Sequence, residues 1–285
     1  MRKFEVIFDE EDVAYYAFRD SPAREGVAER LAEAYERAEE KNKGVEPNLG
    51  HELPLIGNSS INSYLSELQS SEPNLFKSPS PYYSMNKPQL LASLKSHGFS
   101  KPILEAFSKV KRENFIDSRI KHMAYEDRAL PLGKGQTISQ PYTIAMMLDL
   151  LDLKKGQKVL EIGSGCGYVL ALISTITKTK VYGIEIVESL YKKSKSNLKD
   201  YNVEIYNMSG ANGLKEHSPY DRIIISAALD KIPKPILNQL KLGGICIAPE
   251  GPRGNQALVA VQRIKNKFIV KKKIQGFSFV PFVGG

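Results

Sequence analysis

Cysteine and long apolar runs are scarce in this sequence, and each scarcity excludes a class of protein. Only two cysteines occur, Cys166 and Cys246, and neither lies in the spacing of a metal-ligand pair. This excludes a disulfide scaffold and a cysteine-based zinc site, and it is typical of a reducing compartment. No apolar run reaches the roughly 18 residues that span a bilayer, and the N-terminal residues lack the apolar stretch of a secretion signal. We therefore expect a cytoplasmic protein without a metal or a membrane partner.

Acidic residues are fewer than basic ones, but the resulting excess of positive charge does not predict nucleic-acid binding. The 40 Lys and Arg against 32 Asp and Glu give a formal net charge of +8. The lysines are scattered, and the one tight run lies at 271–273. Surface lysines usually only solvate a protein. With 42% hydrophobic and 25% charged residues, the chain is typical of a globular protein with one large domain, with or without a smaller one.

The composition changes along the chain and predicts three regions. Residues 1–45 are rich in Arg, Ala and Glu and begin with alternating apolar residues, which predicts a small α+β segment. Residues 46–84 are rich in Pro, Ser, Asn and Gly, as in a linker. From Met85 the chain is rich in Lys, Ile, Leu and Ser, so we expect the main domain at 85–285. The front segment carries no recognisable chemistry, and composition leaves open whether it is a natural fusion or an appended tag.

Strand and helix patterns alternate from Gly156 onward and predict an α/β fold. Alternation of this kind indicates a doubly wound, Rossmann-like and mostly parallel sheet. Residues 257–263 and 268–275 look like a closing antiparallel strand pair. Ligands of such sheets bind at the carboxyl ends of the strands, so the ends of the first, second and fourth strands should share one crevice. The predicted strands are 158–162, 180–184, 203–206, 221–226 and 244–249, and the predicted helices are 168–176, 187–198 and 235–240.

A glycine-rich turn follows the first predicted strand and carries the strongest functional signal. The pattern Glu-x-Gly-x-Gly-x-Gly occupies 161–167. Glycines after a strand let the backbone approach a ligand, and the helix behind them offers free N–H groups. A dinucleotide fingerprint would need Gly or Ala where Tyr168 stands. The second strand ends in Glu185, about 20 positions on, where a carboxylate can accept hydrogen bonds from both ribose hydroxyls.

This pattern resembles the first motif of class I methyltransferases, which bind S-adenosyl-L-methionine. The resemblance places Glu161 close to the methionine portion of that cofactor. The cofactor-binding residues that it implies are Glu161, Gly163, Ser164, Gly165, Gly167, Glu185, Ile186, Ser209 and Gly210.

The segment at 129–141 precedes a predicted helix and reads Ala-Leu-Pro-Leu-Gly-Lys-Gly-Gln-Thr-Ile-Ser-Gln-Pro. Taken alone, it favours an ordinary helix start, with Ser139 or Gln140 as the cap and Pro141 in the first turn. It also resembles a segment of the protein-L-isoaspartate O-methyltransferase family. Further matches to that family lie at 159–168, 182–186, 220–228, 242–245 and 279–283, so the resemblance runs from about residue 88 to the C-terminus.

By this resemblance, Ser139 is the catalytic residue that hydrogen-bonds the acceptor carboxylate, an L-isoaspartyl group of a damaged protein or peptide. The methyl ester then collapses without the enzyme to a succinimide, which allows repair. The resemblance also implies a monomeric methyltransferase domain. Substrate-binding residues would be Thr137, Ile138, Gln140, Phe279 and Val280.

One position departs from the family pattern. Ser209 stands where the family has an Asp that contacts the adenine amino group. Loss of a charge-assisted hydrogen bond costs about 1.5–3 kcal/mol, so we expect weaker cofactor binding unless a neighbour such as Asn212 substitutes.

Two alternatives stay open from the sequence. A class I methyltransferase could act on another acceptor, either a dedicated biosynthetic peptide or RNA. The fourth strand ends in Ser226-Ala-Ala-Leu229, unlike the Asp/Asn-Pro-Pro-Tyr motif of enzymes that methylate nucleobase nitrogens. The third reading is a binding module with an impaired cofactor site.

Overall fold

The computed structural model describes residues 85–252 and 254–283 of the chain. The predicted small α+β segment at 1–45 and the predicted linker at 46–84 lie outside the described residues, so both stay predictions, as does the domain boundary at Met85.

In the part of the chain that the structure describes, three α-helices, two short 3₁₀ helices and a hairpin precede the main sheet. Helix α1 begins at a capping box, in which Asn86 and Gln89 exchange side-chain to backbone hydrogen bonds. Pro141 opens α3, as predicted, because proline has no N–H to leave unpaired in a first turn. The elements are α1 (Lys87–Ser96), α2 (Lys101–Lys109), two 3₁₀ helices (Arg112–Asn114 and Ser118–Met123), β1 (Leu130–Gly133), β2 (Gln136–Ile138) and α3 (Pro141–Leu151).

The rest of the described chain alternates between strands and helices, as predicted. The strands are β3 (Val159–Ile162), β4 (Val181–Glu185), β5 (Val203–Asn207), β6 (Tyr220–Ile225), β7 (Leu240–Glu250), β8 (Gln256–Ile264) and β9 (Lys267–Phe277). The helices are α4 (Tyr168–Thr177), α5 (Glu188–Asn197) and α6 (Lys234–Leu237).

The predicted bounds of α6 and β7 were wrong. Helix α6 ends at Leu237, and β7 begins at Leu240, because Leu240 already pairs with Tyr220 of β6. The strand therefore begins before the predicted start at Gly244 and continues through the glycine pair at 243–244.

The seven-stranded sheet has the order β5-β4-β3-β6-β7-β8-β9. Strands β3 to β7 run parallel, and β8 and β9 add an antiparallel pair, which confirms the predicted closing pair. The chain moves from β3 to β4 on one side and later to β6 on the other. This reversal opens a crevice above the carboxyl end of β3, where ligands of such sheets bind. Strand β9 is one outer edge, and its lysines at 271–273 are exposed.

The helices next to this crevice are held by apolar burial. Helix α3 buries Ile144, Met147, Leu148 and Leu151, the face predicted from its spacing. Helix α4 is buried on nearly every side because it packs against both α2 and the sheet. Full burial of such a side chain stabilises by about 1.5–3 kcal/mol, so the elements that carry the crevice are firmly placed. No helix of the described ranges is both long and apolar enough to cross a membrane.

Candidate active site

The glycine-rich turn is tied to the end of the neighbouring strand. The N–H groups of Gly163 and Ser164 donate to the Ile184 carbonyl at 2.9 and 3.0 Å, and the Ser164 hydroxyl donates to the same oxygen at 2.9 Å. Gly163, Gly165 and Gly167 all have positive φ, between 53° and 87°, which favours glycine over any residue with a Cβ. The turn therefore leaves the sheet above β3 and leads into α4 at a fixed angle.

Glu185 connects the glycine turn with the start of α5. One carboxylate oxygen accepts from the Gly165 N–H at 2.6 Å and the other accepts from the Val187 N–H at 2.8 Å. Each oxygen keeps a further lone pair for a ligand. The next residue, Ile186, leaves 38% of its surface exposed. The structure thus brings Glu185 and Ile186 to the glycine turn.

Glu161 is a buried acid with one unsatisfied oxygen. It is 1% exposed, and its Oε1 accepts from the Ser226 hydroxyl at 2.7 Å. Its Oε2 is buried and has no hydrogen-bond partner in the part of the chain that the structure describes. Burial raises the pKa of Glu161 to about 8; the Ser226 hydroxyl and, more weakly, the Leu170 backbone N–H oppose this shift, and the nearby Glu185 reinforces it. A buried acid of this kind is suited to a cationic ligand group.

Ser209 and Gly210 lie beyond the end of β5. The Ser209 hydroxyl accepts from the Ala211 N–H at 3.3 Å, within a local turn. Gly210 is buried, and a Cβ there would lie 2.2 Å from Cγ2 of Ile162, at the end of β3. Close approach of the two chain segments therefore requires glycine at 210. Asn212 is exposed, and its carbonyl accepts from the Gln239 side chain at 2.6 Å.

The interpretation of Ser139 as the helix cap was wrong. The N-cap position of α3 belongs to Gln140, whose side chain makes no cap hydrogen bond. Asp127 supplies the cap instead, because its carboxylate accepts from the Tyr142 N–H at 2.8 Å. Ser139 is partly exposed, and its hydroxyl makes no hydrogen bond with any residue in the described ranges.

The hairpin that leads to Ser139 lies against the glycine turn. A Cβ built on Gly165 would meet Cδ1 of Leu132, a β1 residue, at 3.5 Å. Within the following segment, Thr137 is exposed and Ile138 is buried. The acceptor segment predicted from sequence and the predicted cofactor turn are therefore neighbours in the fold.

Arg112 makes a second link between these two parts, and it was not predicted. Its side chain is fully buried. One terminal nitrogen donates to the Ser139 carbonyl at 2.9 Å and to the Arg128 carbonyl at 3.4 Å. The guanidinium carbon lies 5.1 Å from the ring centroid of Tyr168, the first residue of α4.

The C-terminal segment returns to the carboxyl end of β6. The Ala228 N–H donates to the Val280 carbonyl and the Phe282 N–H donates to the Ala228 carbonyl, both at 2.8 Å. The Phe279 N–H donates to the buried Gln256 side chain at 2.6 Å. Phe279 is itself only 8% exposed, whereas Val280 is partly exposed. Phe279 and Val280 thus lie beside the end of the fourth parallel strand.

Four side chains that hold this site together were missed from the sequence: Ser226, Arg112, Gln256 and Asp127, which caps α3. Ser226 could have been found, because it ends the strand that pairs with the strand of Glu161. Arg112 and Gln256 gave no local signal, since each contact joins residues more than 20 positions apart. Among the described residues, no group of three or more His, Cys, Asp or Glu side chains could hold a metal ion.

Comparison with known proteins points to one family. A family model described as protein-L-isoaspartate(D-aspartate) O-methyltransferase matches residues 85–285. The protein-L-isoaspartate O-methyltransferase of Methanothrix thermoacetophila is 40% identical over 205 residues, which cover 70% of this chain and 96% of that protein. The corresponding protein of Dictyoglomus turgidum is 42% identical over 208 residues, which cover 72% and 94%.

Solved structures agree with this result. A protein-L-isoaspartate O-methyltransferase structure superposes with a TM-score of 0.65 at 30% identity, covering 70% of this chain and 66% of that one. A Plasmodium falciparum structure bound to S-adenosyl-L-homocysteine has a TM-score of 0.62 at 24% identity and covers 69% and 98%. The predicted class I methyltransferase fold is confirmed for the matched region.

Proposed function

This chain belongs to the protein-L-isoaspartate(D-aspartate) O-methyltransferase family, and we propose that it methylates the carboxylate of L-isoaspartyl residues in damaged proteins and peptides. The methyl donor is S-adenosyl-L-methionine. The single observation that carries the proposal is the adjacency of two segments: the hairpin leading to Ser139 lies against the glycine turn at Gly165. A donor in the turn and an acceptor at Ser139 would then meet.

The residues of the crevice fit the donor. The buried, unsatisfied Oε2 of Glu161 is suited to the ammonium of the methionine portion. The free lone pairs of Glu185 are suited to the ribose hydroxyls, and exposed Ile186 offers an apolar surface to the adenine ring. Gly163, Ser164, Gly165 and Gly167 form the turn, and Ser209 and Gly210 lie at the adenine side of the proposed site.

The acceptor would be held by the segment before α3. We assign the Ser139 hydroxyl, which has no partner in the described part of the chain, as the donor of a hydrogen bond to the acceptor carboxylate. Thr137, Ile138 and Gln140 flank it. Phe279 and Val280 lie beside the end of β6, where an extended peptide could run.

The chemistry asks little of the protein beyond placement. S-adenosyl-L-methionine supplies an electrophilic methyl group on a sulfonium. A carboxyl group with an ordinary pKa near 3.9 is already ionised at neutral pH, so no general base is required. Ser139 would orient the carboxylate oxygen, and good orientation of two reactants can contribute about 7–11 kcal/mol to catalysis. Exclusion of water by the hairpin and the C-terminal segment would further activate the anion.

The relatives favour isoaspartyl protein over the alternatives. The two relatives compared above, which cover 70% and 72% of this chain, are protein-L-isoaspartate O-methyltransferases. This favours an isoaspartyl acceptor over RNA or a dedicated biosynthetic peptide. The glycine turn, with the unsatisfied oxygen of Glu161 beneath it, disfavours a binding module with an impaired cofactor site. A cytoplasmic location and a monomeric methyltransferase domain are part of the same proposal, and they fit protein clients.

Purified protein should methylate an isoaspartyl peptide and ignore the matching aspartyl peptide. Ser139→Ala removes one hydrogen bond to a charged group, which is worth about 1.5–3 kcal/mol, so turnover should fall roughly 10- to 150-fold. Calorimetry should show the affinity for S-adenosylhomocysteine unchanged within about twofold. Ser108→Ala, at an exposed position of α2, is the matched control.

Equal labelling of both peptides would reject the repair function. A Ser139→Ala variant that loses melting temperature but keeps its turnover would reject the role of Ser139.

A further inference from the structure

Arg112 is a buried cation whose contacts reach both halves of the proposed site. Its side chain has no exposed surface. On one side it donates to the Ser139 carbonyl at 2.9 Å, at the acceptor segment. On the other side the guanidinium lies over the Tyr168 ring, 5.1 Å from its centroid. Tyr168 directly follows the last glycine of the turn, so a single side chain spans the distance between the two segments.

This placement is costly for a residue that only fills the core. The Nε and Nη1 groups of Arg112 have no hydrogen-bond partner among the residues that the structure describes. Burial lowers the pKa of Arg112, which shows that the charged form is poorly solvated there. A buried charge without a full set of partners is destabilising relative to an apolar side chain of the same volume. Stability alone therefore does not account for an arginine at this position.

Arg222 shows what a buried arginine with a structural role looks like in the same fold. It donates to the carbonyl oxygens of Leu151, Asp152 and Asp221, and it lies within 3.9 Å of the Asp152 carboxylate. Its contacts hold the C-terminal end of α3. Arg112 contacts the segment before the other end of the same helix, and of these two arginines Arg112 is the one that contacts the proposed acceptor segment.

We propose that Arg112 is a positioning residue that fixes the acceptor segment at Ser139 relative to the cofactor turn. This inference rests on the proposed function, because it assumes that Ser139 receives the acceptor. The guanidinium suits the task since it is planar and can donate in its plane while it stacks on an aromatic face. A lysine ammonium is a point charge that cannot do both. Arg112 acts through Ser139 and Tyr168 and touches no reacting atom.

Arg112→Lys should therefore disturb alignment more than binding of the donor. A displacement of about 1 Å at a reacting centre can cost roughly 100-fold in rate. We expect kcat to fall about 10- to 100-fold and the KM for an isoaspartyl peptide to rise about tenfold. The dissociation constant of S-adenosylhomocysteine, measured by calorimetry, should stay within about twofold.

Arg222→Lys is the control, because it makes the same substitution at another mostly buried arginine, 9% exposed, whose contacts lie at the C-terminal end of α3. It should lower the melting temperature without changing the KM for the peptide. The double variant Arg112→Lys/Ser139→Ala should be little slower than Ser139→Ala alone, because two residues that act through one segment are not additive. Hydrogen exchange supplies a readout that is independent of activity. The amides at 136–140 should exchange faster in Arg112→Lys than in the unsubstituted protein. In Arg222→Lys their exchange rates should not change.

Two outcomes would overturn the proposal. One is an Arg112→Lys variant whose peptide kinetics match those of Arg222→Lys at a temperature below both melting points. The other is exchange at 136–140 that is the same in both variants. If the unsubstituted protein fails to methylate isoaspartyl peptides, the proposed function is rejected. The hydrogen-exchange experiment still decides whether Arg112 fixes the segment at 136–140.

Discussion

Titration of Glu161 should control how tightly the protein binds its donor. The carboxyl group is buried, its pKa is raised to about 8 from an ordinary 4.5, and one oxygen lacks a partner in the described structure. Only the ionised carboxylate can pair with a ligand ammonium. About 1% of the protein carries that form at pH 6 and about half at pH 8. Since apparent affinity scales with the competent fraction, the dissociation constant of S-adenosylhomocysteine should fall about 50-fold between these pH values.

Calorimetry can measure both the affinity and the accompanying proton. At pH 7 about 90% of the unliganded protein has Glu161 protonated. Binding should therefore release about 0.9 proton, which is detected by repeating the titration in buffers of different ionisation enthalpy. The Glu161→Gln variant keeps the shape of the side chain but cannot ionise. It should bind weakly at every pH and release no proton from this position, while any titration of the ligand ammonium appears in both proteins.

The same group makes the sign of the stability change testable. Because the folded-state pKa of Glu161 is raised, the unfolded chain loses this proton first as pH rises above about 4.5. The unliganded protein should therefore lose stability between about pH 4.5 and pH 8, and stabilisation by S-adenosylhomocysteine should grow over the range where its affinity rises. This reasoning would be refuted if the affinity of the unsubstituted protein for S-adenosylhomocysteine varied with pH no more than that of the Glu161→Gln variant.

Two further predictions concern the borders of the site. Removal of residues 1–84 should leave turnover of a short isoaspartyl peptide within about twofold, because the family match begins at residue 85; loss of that activity would show that the front segment completes the site. Gln256→Leu should cost about 1–3 kcal/mol of stability, measured by denaturant unfolding, because it leaves the buried Phe279 N–H without its acceptor. The same change should raise the KM for the peptide and spare binding of S-adenosylhomocysteine; the opposite pattern would contradict the placement of the C-terminal segment.

The sheet and the glycine turn were predictable because their sequence signals are local. Apolar runs such as 158–162 followed by a glycine turn and a helix specify a strand, a turn and a helix within about 20 residues. The carboxyl ends of parallel strands then meet without further information. This is why the closeness of Gly163 to Ile184, and of Gly165 to Glu185, followed from the pattern alone.

The acceptor side was less predictable, because distant residues decide it. Ser139 and Gln140 directly precede the first turn of α3, where a helix cap is expected, yet Asp127 performs the capping from outside the motif. Arg112 approaches the Ser139 carbonyl from a 3₁₀ turn 27 positions away. In the sequence it stands between two charged residues, Lys111 and Glu113, so its burial could not be predicted. Contacts of this kind depend on how the hairpin packs, which no periodicity records.

The outermost strand of the sheet bears on self-association of the protein. An exposed strand edge can pair with a strand of another chain. Among the strands that the structure describes, β9 is such an edge, but its three consecutive exposed lysines place positive charge on both of its faces. A second copy adding there would set like charges opposite each other, which disfavours stacking. The lysines at 271–273 therefore act against growth of the sheet from one copy of the chain into the next.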